Sequence, residues 1–119
     1  MTPLPDAAAL VALRDAGVEH PLAERLAVYA ALVLAANRRL NLTGAKDGTA
    51  FAAHIADALT LAADVAGSLI DVGSGNGVPG IPLALATGAR VTLLEPIKKR
   101  ATFLTGALIE MGLEGEAVA

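Results

Sequence analysis

Leu69-Ile70-Asp71-Val72-Gly73-Ser74-Gly75-Asn76-Gly77-Val78-Pro79-Gly80 decides the fold of this chain. Leu69, Ile70 and Val72 read as a short apolar strand, and Gly73, Gly75 and Gly77 at alternate positions read as a turn with no side-chain wall. Pro79 then suits the first turn of a helix. A strand, a glycine turn and a helix in that order suggest that the glycines expose backbone N–H groups to a nucleotide-like cofactor.

The same alternation continues downstream. A helix is expected from Pro79 to about Thr87 and a second strand over Val91 to Leu94. Another helix is expected from Lys98 to Met111, stopped by Gly112, with the entry to a third strand at Glu116 to Ala119. The order β, α, β with parallel strands gives an α/β fold: a Rossmann-like, doubly wound sheet of which residues 67–119 form the first half. Residues 1–66 read differently, as a helical extension. Asp6 caps a first helix running to Ala16, and Pro21 opens a second with Leu22, Leu26, Tyr29, Val33 and Leu40 on one buried stripe. The Asp47-Gly48 turn precedes a third helix carrying Phe51, Ile55, Leu59 and Ala62 inward. Asn41 fits the left-handed residue that ends the second helix.

Gly75-Asn76-Gly77-Val78-Pro79-Gly80 also satisfies the G-x-G-x-x-G pattern of dinucleotide sites, so context must choose the ligand. Asp71 stands just before the first glycine, where a carboxylate would repel a pyrophosphate but accept from the ammonium of a methionine-derived cofactor. Glu95 ends the second strand, where a carboxylate can accept from both ribose hydroxyls. Asp71, Gly73, Gly75, Gly77 and Glu95 together describe an S-adenosyl-L-methionine site. A dinucleotide-dependent oxidoreductase fragment is the rival enzyme reading, weakened by Asp71, Pro79 and Pro82.

Composition narrows the partners. With 119 residues, 55% hydrophobic and a net charge of −3, the chain is one modest globular domain and not a general polyanion binder. Contact with nucleic acid would rest on two local clusters, Arg38, Arg39 and Lys46, and Lys98, Lys99 and Arg100. There is no cysteine and only two histidines, His20 and His54, so no metal site is expected. No apolar run is long enough for a membrane span, no secretory signal is evident, and a cytoplasmic protein is expected. His54 and Asp57, three apart on the third helix, read as a local structural pair.

Asn41-Leu42-Thr43, His54-Ile55-Ala56-Asp57-Ala58-Leu59, Leu69 through Pro82 and Lys99-Arg100 resemble, in order, the motifs of the RsmG (GidB) family of 16S small-subunit ribosomal RNA guanine-N7 methyltransferases. The resemblance covers roughly Asn37 to Leu113. It implies a class I S-adenosyl-L-methionine-dependent methyltransferase fold with an N-terminal helical extension. It also implies that Gly73 and Val78 contact the cofactor, that Glu95 takes the acidic position usually held by Asp, and that Lys99 and Arg100 face the RNA. No catalytic acid or base is nominated. The family's further cofactor contacts lie beyond Ala119, so the chain is expected to be truncated. That leaves a non-catalytic RNA- or partner-binding remnant as the alternative function, with self-association through an exposed sheet edge as a further expectation.

Overall fold

The computed structural model describes residues 3–119. Five helices and three strands follow in the order α1 (Ala7–Asp15), α2 (Leu22–Leu40), α3 (Gly48–Leu59), β1 (Ser68–Val72), α4 (Gly80–Thr87), β2 (Arg90–Leu94), α5 (Lys98–Glu110) and β3 (Gly115–Val118), with a short 3-10 turn at Ala62–Asp64 before β1. Each boundary has a local cause. The Asp6 carboxylate accepts from the Ala9 N–H and the Asp47 carboxylate from the Ala50 N–H, capping α1 and α3. Asp47-Gly48 is thus a cap and first helical residue rather than a turn before the helix. Gly48 lies against the Asp6 carboxylate with no room for a Cβ, which ties the two helix starts together. Asn41 ends α2 at φ 55°, ψ 52°, the left-handed conformation its short polar side chain tolerates. Just before it, Asn37 clamps the exit: its Oδ1 accepts from Leu42 and Thr43, and its Nδ2 donates to the Thr43 carbonyl.

The strands are parallel in the order β1-β2-β3, with Asp71 opposite Leu93 and Leu93 opposite Ala117. Both crossovers place their helices on one face, where α4 packs on β1 and β2 and α5 on β2 and β3. Helix α2 lies across α4 and α5, and α1 and α3 pack on α2. One hydrophobic cluster runs through all of it, from Leu13 on α1 through Leu26, Tyr29 and Val33 on α2 and Phe51 on α3 to Ile81, Leu93 and Leu104.

The opposite face of the sheet is open. Ile70 and Val72 are 67% and 77% exposed, and Val118, in register with Val72 through Leu94, is 40% exposed. The sequence reads β1 as a uniformly apolar strand, yet only Leu69 and Asp71 point into the core. Parallel strands usually owe such an apolar run to cover on both faces, and here one face has it.

Candidate functional site

The glycine turn follows β1 at the carboxyl ends of the strands, and its backbone is closed on itself. The N–H groups of Gly73 and Ser74 both donate to the Leu94 carbonyl, that of Gly77 to Ser74 O, and that of Val78 to Asn76 Oδ1. Gly75 N–H donates to Glu95 Oε1 at 2.8 Å. The expectation that the glycines offer N–H groups to a ligand is therefore corrected: these donors are already used within the protein. The start of α4 is closed as well, because Gly80 N–H donates to Asp71 Oδ2 at 3.0 Å and Ile81 N–H to the Gly77 carbonyl. A pyrophosphate draws on donors of this kind, and with the glycine N–H groups engaged within the protein the dinucleotide reading is weakened.

What the turn presents outward is bare main chain. A Cβ built on Gly73 (φ 73°) or Gly75 (φ 56°) would meet nothing within 4 Å. Gly77 and Gly80 face the other way. A Cβ on Gly77 would lie 2.7 Å from Ile81 Cδ1 and 3.1 Å from the Tyr29 hydroxyl, and one on Gly80 would lie 2.7 Å from Leu93 Cδ2. Gly73 and Gly75 thus border open space, while Gly77, expected as a cofactor contact, is packed against Ile81 and Tyr29.

The two acids do structural work here. Asp71 is buried, capping α4 through its carboxylate while its own carbonyl accepts from the Ser74 hydroxyl. Burial raises its pKa, against the lowering effect of the Gly80 hydrogen bond. Its Oδ2 is turned to the α4 start. Glu95, 4% exposed, accepts from Gly75 N–H through Oε1 and from Ile97 N–H through Oε2, both at 2.8 Å. Each of its oxygens keeps a second lone-pair direction, so the chemistry of a ribose diol acceptor is retained.

Tyr29 completes the frame. It is fully buried on α2, and its hydroxyl donates to the Asn76 carbonyl at 2.6 Å. Burial, and secondarily the nearby Asp71 carboxylate, holds its pKa well above 10.0. The sequence pattern places Tyr29 on a packing stripe and misses this bond. The available signal was that a lone phenol in an apolar stripe must find a partner for its hydroxyl.

The basic residues divide into different tasks. Arg100 donates through Nε to the Leu40 carbonyl at 3.4 Å and through an Nη atom to the Asn41 carbonyl at 3.0 Å, tethering the end of α2 to the start of α5. Lys99 and Arg39 instead line one open hollow with Leu40, Thr102 and Phe103, about 490 Å³ in volume. Arg38 and Lys46, expected to cluster with Arg39, line another hollow beside Asp6 and Asp47. His54 and Asp57 form no hydrogen bond or ion pair with each other among the described residues, which corrects their reading as a pair. They line a cleft of about 280 Å³ together with Val78 and Pro79. Among the described residues no group of three or more His, Cys, Asp or Glu side chains is placed to hold a metal, and no helix is long and apolar enough to cross a membrane.

Comparison with known proteins matches this sequence to a family. The family described as rRNA small subunit methyltransferase G (GidB) matches residues 22–118. A ribosomal RNA small subunit methyltransferase G from Nitrosospira multiformis is 47% identical over 97 residues, covering 79% of this chain and 45% of the relative. Relatives of the same name from Stenotrophomonas maltophilia strain K279a and Neisseria meningitidis serogroup B are 41% and 36% identical, covering 90% and 91% of this chain and 52% and 54% of their own lengths. The chain spans about half the length of the curated relatives it matches. By the extent of the family match and by these identities, the chain belongs to the rRNA small subunit methyltransferase G family.

Proposed function

We propose that this chain takes part in S-adenosyl-L-methionine-dependent methylation of guanine N7 in 16S ribosomal RNA, work that a ribosomal substrate places in the cytoplasm. The observation that carries the reading is the closed glycine turn. It engages the N–H groups of its glycines within the protein yet leaves Gly73 and Gly75 as a bare face beside the Glu95 carboxylate. Such a face suits the close approach of a nucleoside. The residues present fit the cofactor: Gly73 and Gly75 for close approach, Glu95 for the ribose hydroxyls, and Val78 at the far end of the turn.

When bound, the cofactor supplies an electrophilic methyl group, and guanine N7 offers an unprotonated lone pair, so transfer asks for no general base. The protein's task is alignment, which in well-oriented systems is worth about 7 to 11 kcal/mol. Tyr29 and Glu95 hold the turn in one conformation before any ligand arrives. Lys99 and Arg39 suit RNA phosphates at the rim, on the side where α5 begins. Arg100 supports that rim by fixing α5 against α2.

The test is transfer of radiolabelled methyl from S-adenosyl-L-methionine to unmodified 16S ribosomal RNA. It is run with the chain alone and with the chain joined to the C-terminal half of the Nitrosospira multiformis relative. Methylation by the joined protein at a guanine N7 supports the reading, and methylation by neither protein overturns it. Methylation by the chain alone would show that the acceptor site is complete within residues 1–119.

A further inference from the structure

We propose that the cleft between the end of α3 and the start of α4 receives the amino-acid end of the cofactor, with Asp57 accepting from its ammonium group and His54 donating to its carboxylate. The inference rests on the cofactor reading above and extends it to His54 and Asp57.

A methionine-derived cofactor ends in a zwitterion. Its ammonium needs an acceptor, and its carboxylate needs a donor. The carboxylate expected to serve the ammonium, Asp71, is buried and committed to the Gly80 N–H. The donors expected of the glycine turn are committed too, to Leu94, Ser74, Asn76 and Glu95. Side chains next to the turn can supply both partners.

The cleft supplies them. Val78 and Pro79, the last residues of the turn, form one wall, and His54 and Asp57, three apart on the same face of α3, form the other. Both side chains are exposed. The His54 ring packs at 70° to the Phe51 ring, with ring centres 6.0 Å apart, and lines the cleft. Thr60, also in the wall, already donates its hydroxyl to the Asp57 carbonyl at 2.7 Å, so the donor that remains is His54. Asp57 has no structural occupation: its carboxylate makes no ion pair or hydrogen bond among the described residues. It also sits in the last turn of α3, the end of a helix at which a negative charge is unfavourable. A cationic group in the cleft would offset that unfavourable charge. Leu61 and Val78 add apolar surface that lowers the local dielectric and strengthens both contacts.

Two nucleosides separate this proposal from the reading beneath it. S-adenosylhomocysteine carries the amino-acid end, and 5′-methylthioadenosine lacks it. Calorimetric titration of both is carried out on the chain alone and on the joined protein. Asp57→Asn is expected to weaken S-adenosylhomocysteine about 10- to 100-fold, the worth of a charge-assisted contact, and to leave 5′-methylthioadenosine unchanged. His54→Ala is expected to act in the same direction, and Asp57→Glu to keep part of the affinity. An Asp57→Asn protein that binds S-adenosylhomocysteine as the parent does overturns the proposal, as does equal weakening of both nucleosides. Unchanged nucleoside binding with weakened guanosine monophosphate binding would assign the cleft to the target base instead and overturn it as well. Binding of neither nucleoside by the unaltered proteins would overturn the cofactor reading itself.

Discussion

Tyr29→Phe removes one oxygen from the protein, and its effect can be worked out from the structure on two axes. At neutral pH the Tyr29 hydroxyl satisfies the Asn76 carbonyl from a fully buried position. Deleting it leaves that carbonyl unpaired, a cost of about 1 to 2 kcal/mol. For a domain of this size the midpoint of thermal unfolding should fall by about 4 to 10 °C. The second axis is alkaline. Because the folded-state pKa of Tyr29 lies above 10.0, the native state keeps a phenolic proton that the unfolded chain gives up. This contribution is fully present below pH 10 and is lost as pH rises through the folded value, at up to about 1.4 kcal/mol per pH unit. The Phe variant has no such group. The stability gap between parent and variant should therefore be constant from pH 6 to 9 and narrow above 10. Urea unfolding followed by circular dichroism across that range measures the gap, and Lys and Arg titrations cancel in the difference. A gap that is absent at pH 7, or unchanged up to pH 11.5, would refute the bond or the burial assigned to this phenol.

Gly75→Ala should cost about 1 to 2 kcal/mol for its positive φ and lose nucleoside affinity, because the new methyl enters open space where the ligand rests. Gly77→Ala should cost more in thermal stability, since its methyl meets Ile81 and Tyr29. Asn41→Ala should lower stability by about 1 kcal/mol without altering cofactor affinity, and Asn41→Gly should not destabilise; equal melting temperatures with weakened cofactor binding would contradict the capping role. Lys99→Ala should weaken RNA binding and lower the slope of its salt dependence by about one unit at an unchanged melting temperature. Arg100→Ala should lower the melting temperature through the freed Leu40 and Asn41 carbonyls; the reverse pattern in the two variants would exchange their roles.

Most of the architecture is legible because local chemistry and global fold agree. Asp6 and Asn41 bound their helices by the cap chemistry that the residue types predict, and the apolar periods of α2 and α5 point to the core as drawn. Two things are hidden. Alternation in β1 cannot tell a face covered by helices from one that is bare, so Ile70 and Val72 read like Leu69 although they are exposed. The site is legible as a set of residue types and not as a set of bonds. Glycine spacing announces a turn but not which way its N–H groups point, and that depends on Leu94 and Glu95, about 20 residues away in sequence. Likewise Arg100 and Lys99 are adjacent bases in the sequence, and only the carbonyls at the end of α2 decide that one is a tether.

Tyr29, Glu95 and Arg100 form a closed triangle. Tyr29 joins α2 to the glycine turn, Glu95 joins the turn to the lead-in of α5, and Arg100 joins α5 back to the end of α2. A triangulated frame cannot shear without breaking a side, so no corner shifts alone. The helical segment ahead of the sheet is thereby a brace for the turn as well as part of the shared hydrophobic cluster, and deleting it would leave the turn without its fixed shape. The ordering entropy of the turn is settled when the chain folds rather than when a nucleoside arrives, which leaves more of the contact energy to appear as affinity.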